Sequence, residues 1–464
     1  MHAMRPRAFY VGICLVAATI ALGACGGASG SVPGNGPSAL HPGSSSSPSP
    51  IQHIVLVVQE NRTFNDFFAT FPGGDGTTTG KIAKDAACNI PKNETIALKK
   101  SSLITGRDFV HAYAGFATAR DGGKVDGFDK VVGGAGPECT APYQYTDPSD
   151  IAPYWDMAEQ YALAEHMFTT QGDSSFTAHQ DLIAGGTVVP GTQKALVNFP
   201  SCSGSCAWGC DAHKGTKTSL ITESNVWKPY VNHGPFPCMT YETLRDLLDA
   251  QSVSWTYYVP PMNENFGKLL SAFDAIKAVR YGPEWKTNIV SPETQILTDA
   301  ADGNLADVSW VIPDEPDSDH PGESVDDGPA WVASIVNAIG ESSYWNSTAI
   351  VIVWDDWGGL YDNLNPKQLG YGGLGFRVPA IIVSPYARAG YISKTNYEFG
   401  SILKYIEQNW NLGSLGTSDQ RAASIIDSFD YSQNPIAFKP IASQHDKAYF
   451  LHRQPSYLPP DTDF

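Results

Sequence analysis

The chain has 464 residues, 42% of them hydrophobic and 17% charged, which is enough apolar content for a large buried core and too little charge for a disordered chain. Its formal net charge of −18 argues against electrostatic binding to nucleic acid or to an anionic lipid surface.

At the amino terminus, Arg5 and Arg7 precede the apolar stretch "FYVGICLVAATIALGAC", and the composition then switches to Gly, Ser and Pro. This predicts a signal peptide over residues 1–24, too short and too quickly ended to anchor in a membrane. Leu22-Gly23-Ala24-Cys25 resembles a bacterial lipobox, which predicts an exported lipoprotein tethered to a membrane through lipidated Cys25. The plain alternative is an ordinary cleavage site with an incidental cysteine, leaving the protein periplasmic or secreted. Residues 25–50 have no apolar periodicity and read as a flexible linker. No second linker interrupts residues 51–464, so one large domain is expected there.

Within that domain, strand-like runs alternate with helical patterns, as an α/β fold requires. "HIVLVV" (53–58) is apolar on both faces, which suits a central parallel strand, yet it runs straight into Glu60-Asn61-Arg62. Further runs are "YALAEHMF" (161–168), "VSWTYYV" (253–259), "DVSWVI" (307–312), "TAIVIVW" (348–354) and "VPAIIVS" (378–384). Helices are expected in "TYETLRDLLDAQ", in "PAWVASIVNAIG" between Pro329 and Gly340, and in "GSILKYIEQNW". An insertion around 185–290 is expected, its first part (185–240) rich in Cys, Gly, Pro and aromatic residues. Of the eight cysteines, Cys14 and Cys25 lie in the leader and lipobox; Cys88, Cys139, Cys202, Cys206, Cys210 and Cys238 are expected to form three disulfides of open pairing. The 202/206/210 spacing admits a metal cluster, but no Cys-x-x-Cys pair supports one.

Polar groups recur where the buried runs stop. "TAIVIVW" ends at Asp355-Asp356, followed by Trp357-Gly358-Gly359. In an open α/β sheet the crevice beyond the strand ends binds ligands. Adjacent carboxylates there repel unless a cation lies between them, and with Glu60 and Asn61 they predict an all-oxygen site for a hard divalent metal ion. A solvated acidic loop is the plain reading of the same pair. In "TTQGDSSFTAHQDLIAG" a strand, a glycine and a helix start put Ser175 where backbone N–H groups hold an anion. It is a candidate nucleophile, or simply a helix cap. His111 and His320 lie in polar, loop-rich segments from which either can donate to a phosphoryl oxygen or protonate a leaving group.

Together these segments resemble a bacterial phosphoesterase family that contains phospholipases C and acid phosphatases and is similar in fold to alkaline phosphatases and sulfatases. The resemblance rests on "QENRTFNDFF" (59–68), "GGKVDGF" (122–128), "SFTAH" (175–179), "DHP" (319–321), "WDDWGGLYD" (354–362) and "RVPAIIVSPYAR" (377–388), in that order. It implies an alkaline-phosphatase-like three-layer α/β sandwich with a mostly parallel central sheet and a disulfide-rich insertion. It also implies a divalent metal on Glu60, Asn61, Asp355 and Asp356, and Ser175 as nucleophile, with Ser174 as fallback. His111 and His320 are then catalytic, and Asn61, His111, His179 and His320 contact the phosphate. The substrate implied is a phospholipid or a soluble phosphomonoester. A catalytically silent surface lipoprotein is the rival reading; a sulfatase is disfavoured because no C/S-x-P-x-R motif is present. The chain departs from the family at Trp357, Asn363, Glu398 to Ser401 and Ala178, which puts a second metal and the substrate in question.

Overall fold

In the computed structural model, which describes residues 49–454 apart from 105–106, 134–135, 197–207, 224–229, 262–269, 323–324 and 372, the chain builds an eight-stranded sheet. Its strands are β1 (His53–Gln59), β2 (Ala162–Ala164), β3 (Trp255–Tyr258), β4 (Ile289–Val290), β5 (Val308–Val311), β6 (Thr348–Trp354), β7 (Ala380–Val383) and β8 (Tyr391–Ser393), in the order β4-β3-β5-β1-β6-β7-β2-β8. β7 runs antiparallel to both of its neighbours, and every other pairing is parallel. β1 is central because Ile54 to Val58 are apolar on both faces and almost wholly buried. Every residue of β6 is buried as well, so both faces of the sheet are covered and the fold is the layered α/β sandwich expected from the sequence.

Two expected strands are broken for identifiable reasons. "YALAEHMF" splits into β2 and a short strand Met167–Phe168 in a separate three-stranded sheet with Arg377–Val378 and Tyr397–Glu398. Between the two pieces sits Glu165, fully buried and ion-paired to Lys394 at 3.1 Å, which takes the chain out of the main sheet. "VPAIIVS" breaks at Pro379, which has no N–H for a ladder.

Four helices matter to the site: α1 (Phe64–Phe68), α2 (Ser175–Ala184), α3 (Gly328–Gly340) and α4 (Phe399–Trp410). α3 carries Pro329 in its first turn and packs on β6; α4 stops at Asn411, whose φ of 52° ends the helix in the left-handed region. α2 is buried along its whole length and packs on α4.

The expected insertion is shorter than 185–290, because β3 and β4 fall inside that span and extend the main sheet. Its disulfide-held part is tied by Cys210–Cys238, while Cys88–Cys139 closes a separate loop. Cys210 is therefore spoken for, which removes the 202/206/210 metal cluster; Cys202 and Cys206 lie outside the described residues. So do the leader and Cys25. Among the described residues no helix is long and apolar enough to cross a membrane.

Candidate active site

The register of the two central strands builds the site. Gln59 pairs with Trp354, so the residues that follow, Glu60-Asn61 and Asp355-Asp356, emerge side by side at one sheet edge. The Asp355 N–H donates to the Gln59 carbonyl at 2.8 Å, and the Asn61 N–H donates to Asp355 Oδ1 at 2.9 Å. The loop after β5 folds back to the same edge, where Glu60 N donates to the Ser318 carbonyl at 2.8 Å, and it brings His320. α2 delivers Ser175 and, one turn later, His179. The structure thus brings Glu60, Asn61, His111, Ser175, His179, His320, Asp355 and Asp356 together, all of them buried.

Asn61 is the hub. Its backbone φ is 59°, a left-handed conformation that asparagine tolerates better than most residues. Its Nδ2 lies 2.7 Å from His320 Nε2 and 3.3 Å from His111 Nε2, and its Oδ1 accepts from Ser175 Oγ at 3.3 Å. Each histidine is oriented from behind: His111 Nδ1 sits 2.7 Å from the Phe109 carbonyl, and His320 Nδ1 sits 2.7 Å from the Pro321 carbonyl. A carbonyl accepts only, so both Nδ1 atoms carry hydrogen and both Nε2 atoms face Asn61.

The acids fall into two groups. Asp356 turns toward Ser175: its Oδ1 accepts from Gly358 N at 2.7 Å, its Oδ2 accepts from Ser175 Oγ at 3.3 Å, and His111 Nε2 lies 3.9 Å away. Glu60 and Asp355 turn instead toward His179, whose Nε2 is 2.9 Å from Glu60 Oε1 and 3.7 Å from Asp355 Oδ2. These three residues offer ligand atoms within 4.8 Å of one another. The grouping differs from the all-oxygen set expected, since an imidazole nitrogen joins two carboxylates while Asn61 and Asp356 face Ser175. Spacing alone carried a signal for this: Ser175 and His179 are one helical turn apart, on one face of α2.

Burial dominates the electrostatics. It pushes Asp355 up to about 7, with the Glu60 charge adding to it, and holds Asp356 well above the ordinary carboxylate range, with Asp355 next in effect. Burial lowers His179, which favours the neutral imidazole a metal requires. Among the described residues Asp355 Oδ2 has no hydrogen-bond donor. Crowded, buried acids beside a neutral histidine, one oxygen of them unsatisfied, fit a divalent cation.

Several residues singled out only by their motif, or not at all, hold these groups. Arg62 is fully buried and donates to the Asp319 carbonyl (2.7 Å), the Leu103 carbonyl (2.9 Å) and Asp66 Oδ2 (3.1 Å). Asp319 itself has a φ of 67°, with Oδ2 accepting from Tyr154 Oη at 2.6 Å and Trp354 Nε1 at 3.1 Å, which fixes the turn into His320. Asp173 links the Ser175 turn to the His111 segment by accepting from Thr177 Oγ1 at 2.5 Å and Tyr113 N at 3.1 Å. Trp357 donates from Nε1 to the His111 carbonyl at 2.9 Å. The glycines after it serve close packing, not ligand approach: a Cβ on Gly358 would lie 2.0 Å from the Asn61 carbonyl oxygen. Asn363 accepts from Arg377 at 2.5 Å, and Glu398 takes Arg421 in a two-point pair, so neither departure reaches the site. Trp208, from the insertion, packs edge-on to Phe176 beside Ser175, with ring centroids 5.2 Å apart.

Residues 51–413 match the Phosphoesterase family. The chain belongs to the phosphoesterase family. Among its relatives in that family is phospholipase C B of Mycobacterium tuberculosis, 23% identical over 462 residues, covering 88% of this chain and 83% of the relative. Non-specific phospholipase C6 of Arabidopsis thaliana is 21% identical over 428 residues, covering 83% and 74%. The non-hemolytic phospholipase C of Burkholderia pseudomallei is 22% identical over 413 residues, covering 78% of this chain and 55% of the relative. Of solved structures, a member of the alkaline phosphatase superfamily from Vibrio parahaemolyticus is similar over 83% of this chain and 75% of its own, at 12% identity and a TM-score of 0.35. The residues singled out in the sequence motifs lie together at the sheet edge.

Proposed function

We propose that this phosphoesterase is a metal-dependent phosphoric ester hydrolase of the phospholipase C or acid phosphatase type, acting through a phosphoserine at Ser175. The observation that carries the reading is Ser175 Oγ, 3.3 Å from both Asn61 Oδ1 and Asp356 Oδ2 at the head of a buried helix. Ser175 attacks phosphorus and gives its proton to Asp356 in its ionised form, the carboxylate oxygen 3.3 Å away. In the imidazolium form, with Nδ1–H on the backbone carbonyl and a second proton on Nε2, His111 and His320 donate to the phosphoryl oxygens, and one of them gives its Nε2 proton to the leaving alcohol and is left neutral. Water then hydrolyses the phosphoserine. What a divalent cation would supply, held by Glu60, His179 and Asp355 with Asn61 and Asp356 nearby, is neutralisation of the phosphoryl charge. Relatives that are phospholipases C support a phosphate ester as substrate. Export and a membrane tether through lipidated Cys25 belong to the same proposal and rest on the leader sequence.

The test is acid-quench trapping. With Ser175 as nucleophile, a phosphorylated peptide spanning residues 171–181 accumulates and Ser175→Ala loses at least about 1000-fold in kcat. A near-wild-type rate in the Ser174→Ala/Ser175→Ala double variant refutes the covalent route. Para-nitrophenyl phosphate, its bis ester and para-nitrophenyl phosphorylcholine then separate monoesterase from diesterase. Chelation abolishes turnover and a divalent cation restores it; full activity in a verified metal-free preparation would end the metal reading.

A further inference from the structure

The family match stops at residue 413, but a segment beyond it reaches back to the loop that carries His320. Ile441 N donates to Asn337 Oδ1 at 2.8 Å and Asn337 Nδ2 donates to the Ile441 carbonyl at 2.9 Å, which ties that segment to α3. Asp446 then caps a short helix, α5 (Lys447–His452), by accepting from Tyr449 N at 3.1 Å. Phe450 of α5 is buried, its ring centroid 5.3 Å from that of Trp331 on α3. This docking delivers Arg453, the first residue after α5.

Arg453 bridges the two ends of the His320 loop. Before the loop stands Asp317, whose two oxygens accept from Arg453 Nη1 at 2.7 Å and Nη2 at 2.6 Å. After it stands Asp327, whose Oδ2 accepts from Arg453 Nη1 at 3.0 Å and from Tyr449 Oη at 2.9 Å. Asp314 Oδ2 lies 3.5 Å from Nη2, and His445 Nε2 lies 3.4 Å from Asp327 Oδ1. Three buried carboxylates thus converge on one guanidinium, and without it they repel. Burial raises the Asp317 carboxyl and the Arg453 charge lowers it; guanidinium N–H groups on both oxygens are the contacts of a carboxylate.

Both ends lead to the active site. Asp317 is followed by Ser318, whose Oγ accepts from His320 N at 3.2 Å and whose carbonyl accepts from Glu60 N at 2.8 Å. Asp327 is followed by Gly328, where a Cβ would lie 2.0 Å from Asp319 Oδ1, so the second end packs against the residue before His320. We propose that Arg453 is a positioning residue for ester hydrolysis, closing the His320 loop at both ends and so holding the imidazole in place. The inference rests on the role given to His320 above, and Arg453 acts through that residue.

The test is a double-variant cycle on the full chain, assayed with para-nitrophenyl phosphate or its bis ester, whichever the wild type hydrolyses. Arg453→Ala, shown to be folded by a cooperative melt, lowers kcat about 10- to 100-fold, the cost of a small displacement of a reacting group, with KM within about threefold. Arg453→Lys keeps the charge but not the fork; it serves if Arg453→Ala does not fold, and it loses about tenfold. Tyr449→Phe, which takes a hydroxyl from Asp327 and leaves Arg453, keeps the wild-type rate. Combined with His320→Gln, either Arg453 variant costs little more than His320→Gln alone, because the two residues act as one unit. Histidine-labelled protein gives an NMR readout independent of turnover. The His320 imidazole signals, assigned by their loss in His320→Gln, move in Arg453→Lys, while those of His53, at the other end of β1, stay. Unmoved His320 signals, additive losses in the double variants, or an equal loss in Tyr449→Phe overturn the proposal. A wild type that hydrolyses neither ester counts against the ester-hydrolysis reading, and the imidazole signals then decide the role of Arg453.

Discussion

Asn61 shows how one residue is constrained from several directions. It takes a left-handed backbone, receives a hydroxyl, faces two imidazoles, and has Gly358 pressed against its carbonyl. Gly358 has a φ of 54°, so Gly358→Ala adds backbone strain as well as a clash. The variant is expected to lose about 1–3 kcal/mol of stability, and, because Asn61 must shift, about 100-fold in kcat/KM. Steady-state kinetics beside a denaturation curve checks both, and unchanged kinetics would show that Asn61 tolerates displacement. Arg62 is a second such residue. Lysine cannot reach two carbonyls and Asp66 at once, so Arg62→Lys leaves Asp66 poorly paired in a fully buried site. Urea unfolding should register a loss of about 3–5 kcal/mol. The sequence marks Arg62 as part of a motif, but its burial depends on Leu103 and Asp319, far away in the chain.

At the level of elements, local signals set boundaries and neighbours moved them. The helix expected in "TYETLRDLLDAQ" begins only at Leu244, because Thr243 and Asp246 form a reciprocal capping box. Thr243→Ala should cost about 1 kcal/mol of stability and leave turnover unchanged, since the cap touches nothing at the sheet edge. A thermal melt and a rate measurement on the same sample decide it. The divided strands at Glu165 and Pro379 were legible only in part: proline is a visible breaker, whereas a buried glutamate announces itself only once Lys394 is found beside it. Cysteine pairing is a further matter of packing. Non-reducing peptide mapping should recover Cys88 linked to Cys139 and Cys210 linked to Cys238; a Cys202–Cys210 or Cys206–Cys210 peptide would contradict the fold of the insertion.

Across the whole molecule, acids buried away from the site make stability depend on pH. Burial, then the charges of Asp314 and Asp317, raises Glu293 from an ordinary 4.5 to about 8, and its Oε2 has no donor among the described residues. A carboxyl raised in the folded state contributes stability that is fully present below its unfolded pKa and is lost as pH rises through the folded one. Between pH 5 and 9 this group therefore lowers the melting temperature progressively. Glu293→Gln removes that component, so the gap between variant and wild type should widen in the variant's favour as pH rises. Parallel melts across that range check it, and parallel curves would refute the assignment.

The sequence by itself determined the central strands, the helices with proline starts or apolar faces, and the polar residues at the strand ends, because periodicity and burial are local consequences of residue type. It also carried the family, through motifs in order. The tertiary structure decided which of those residues meet. Pairing of Gln59 with Trp354 sets Glu60 beside Asp355, the return of the β5 loop supplies His320, and the axis of α2 turns His179 toward two carboxylates while Ser175 faces Asn61 and Asp356. Contacts across more than a hundred residues are settled by how layers pack and strands register, and no local pattern encodes that.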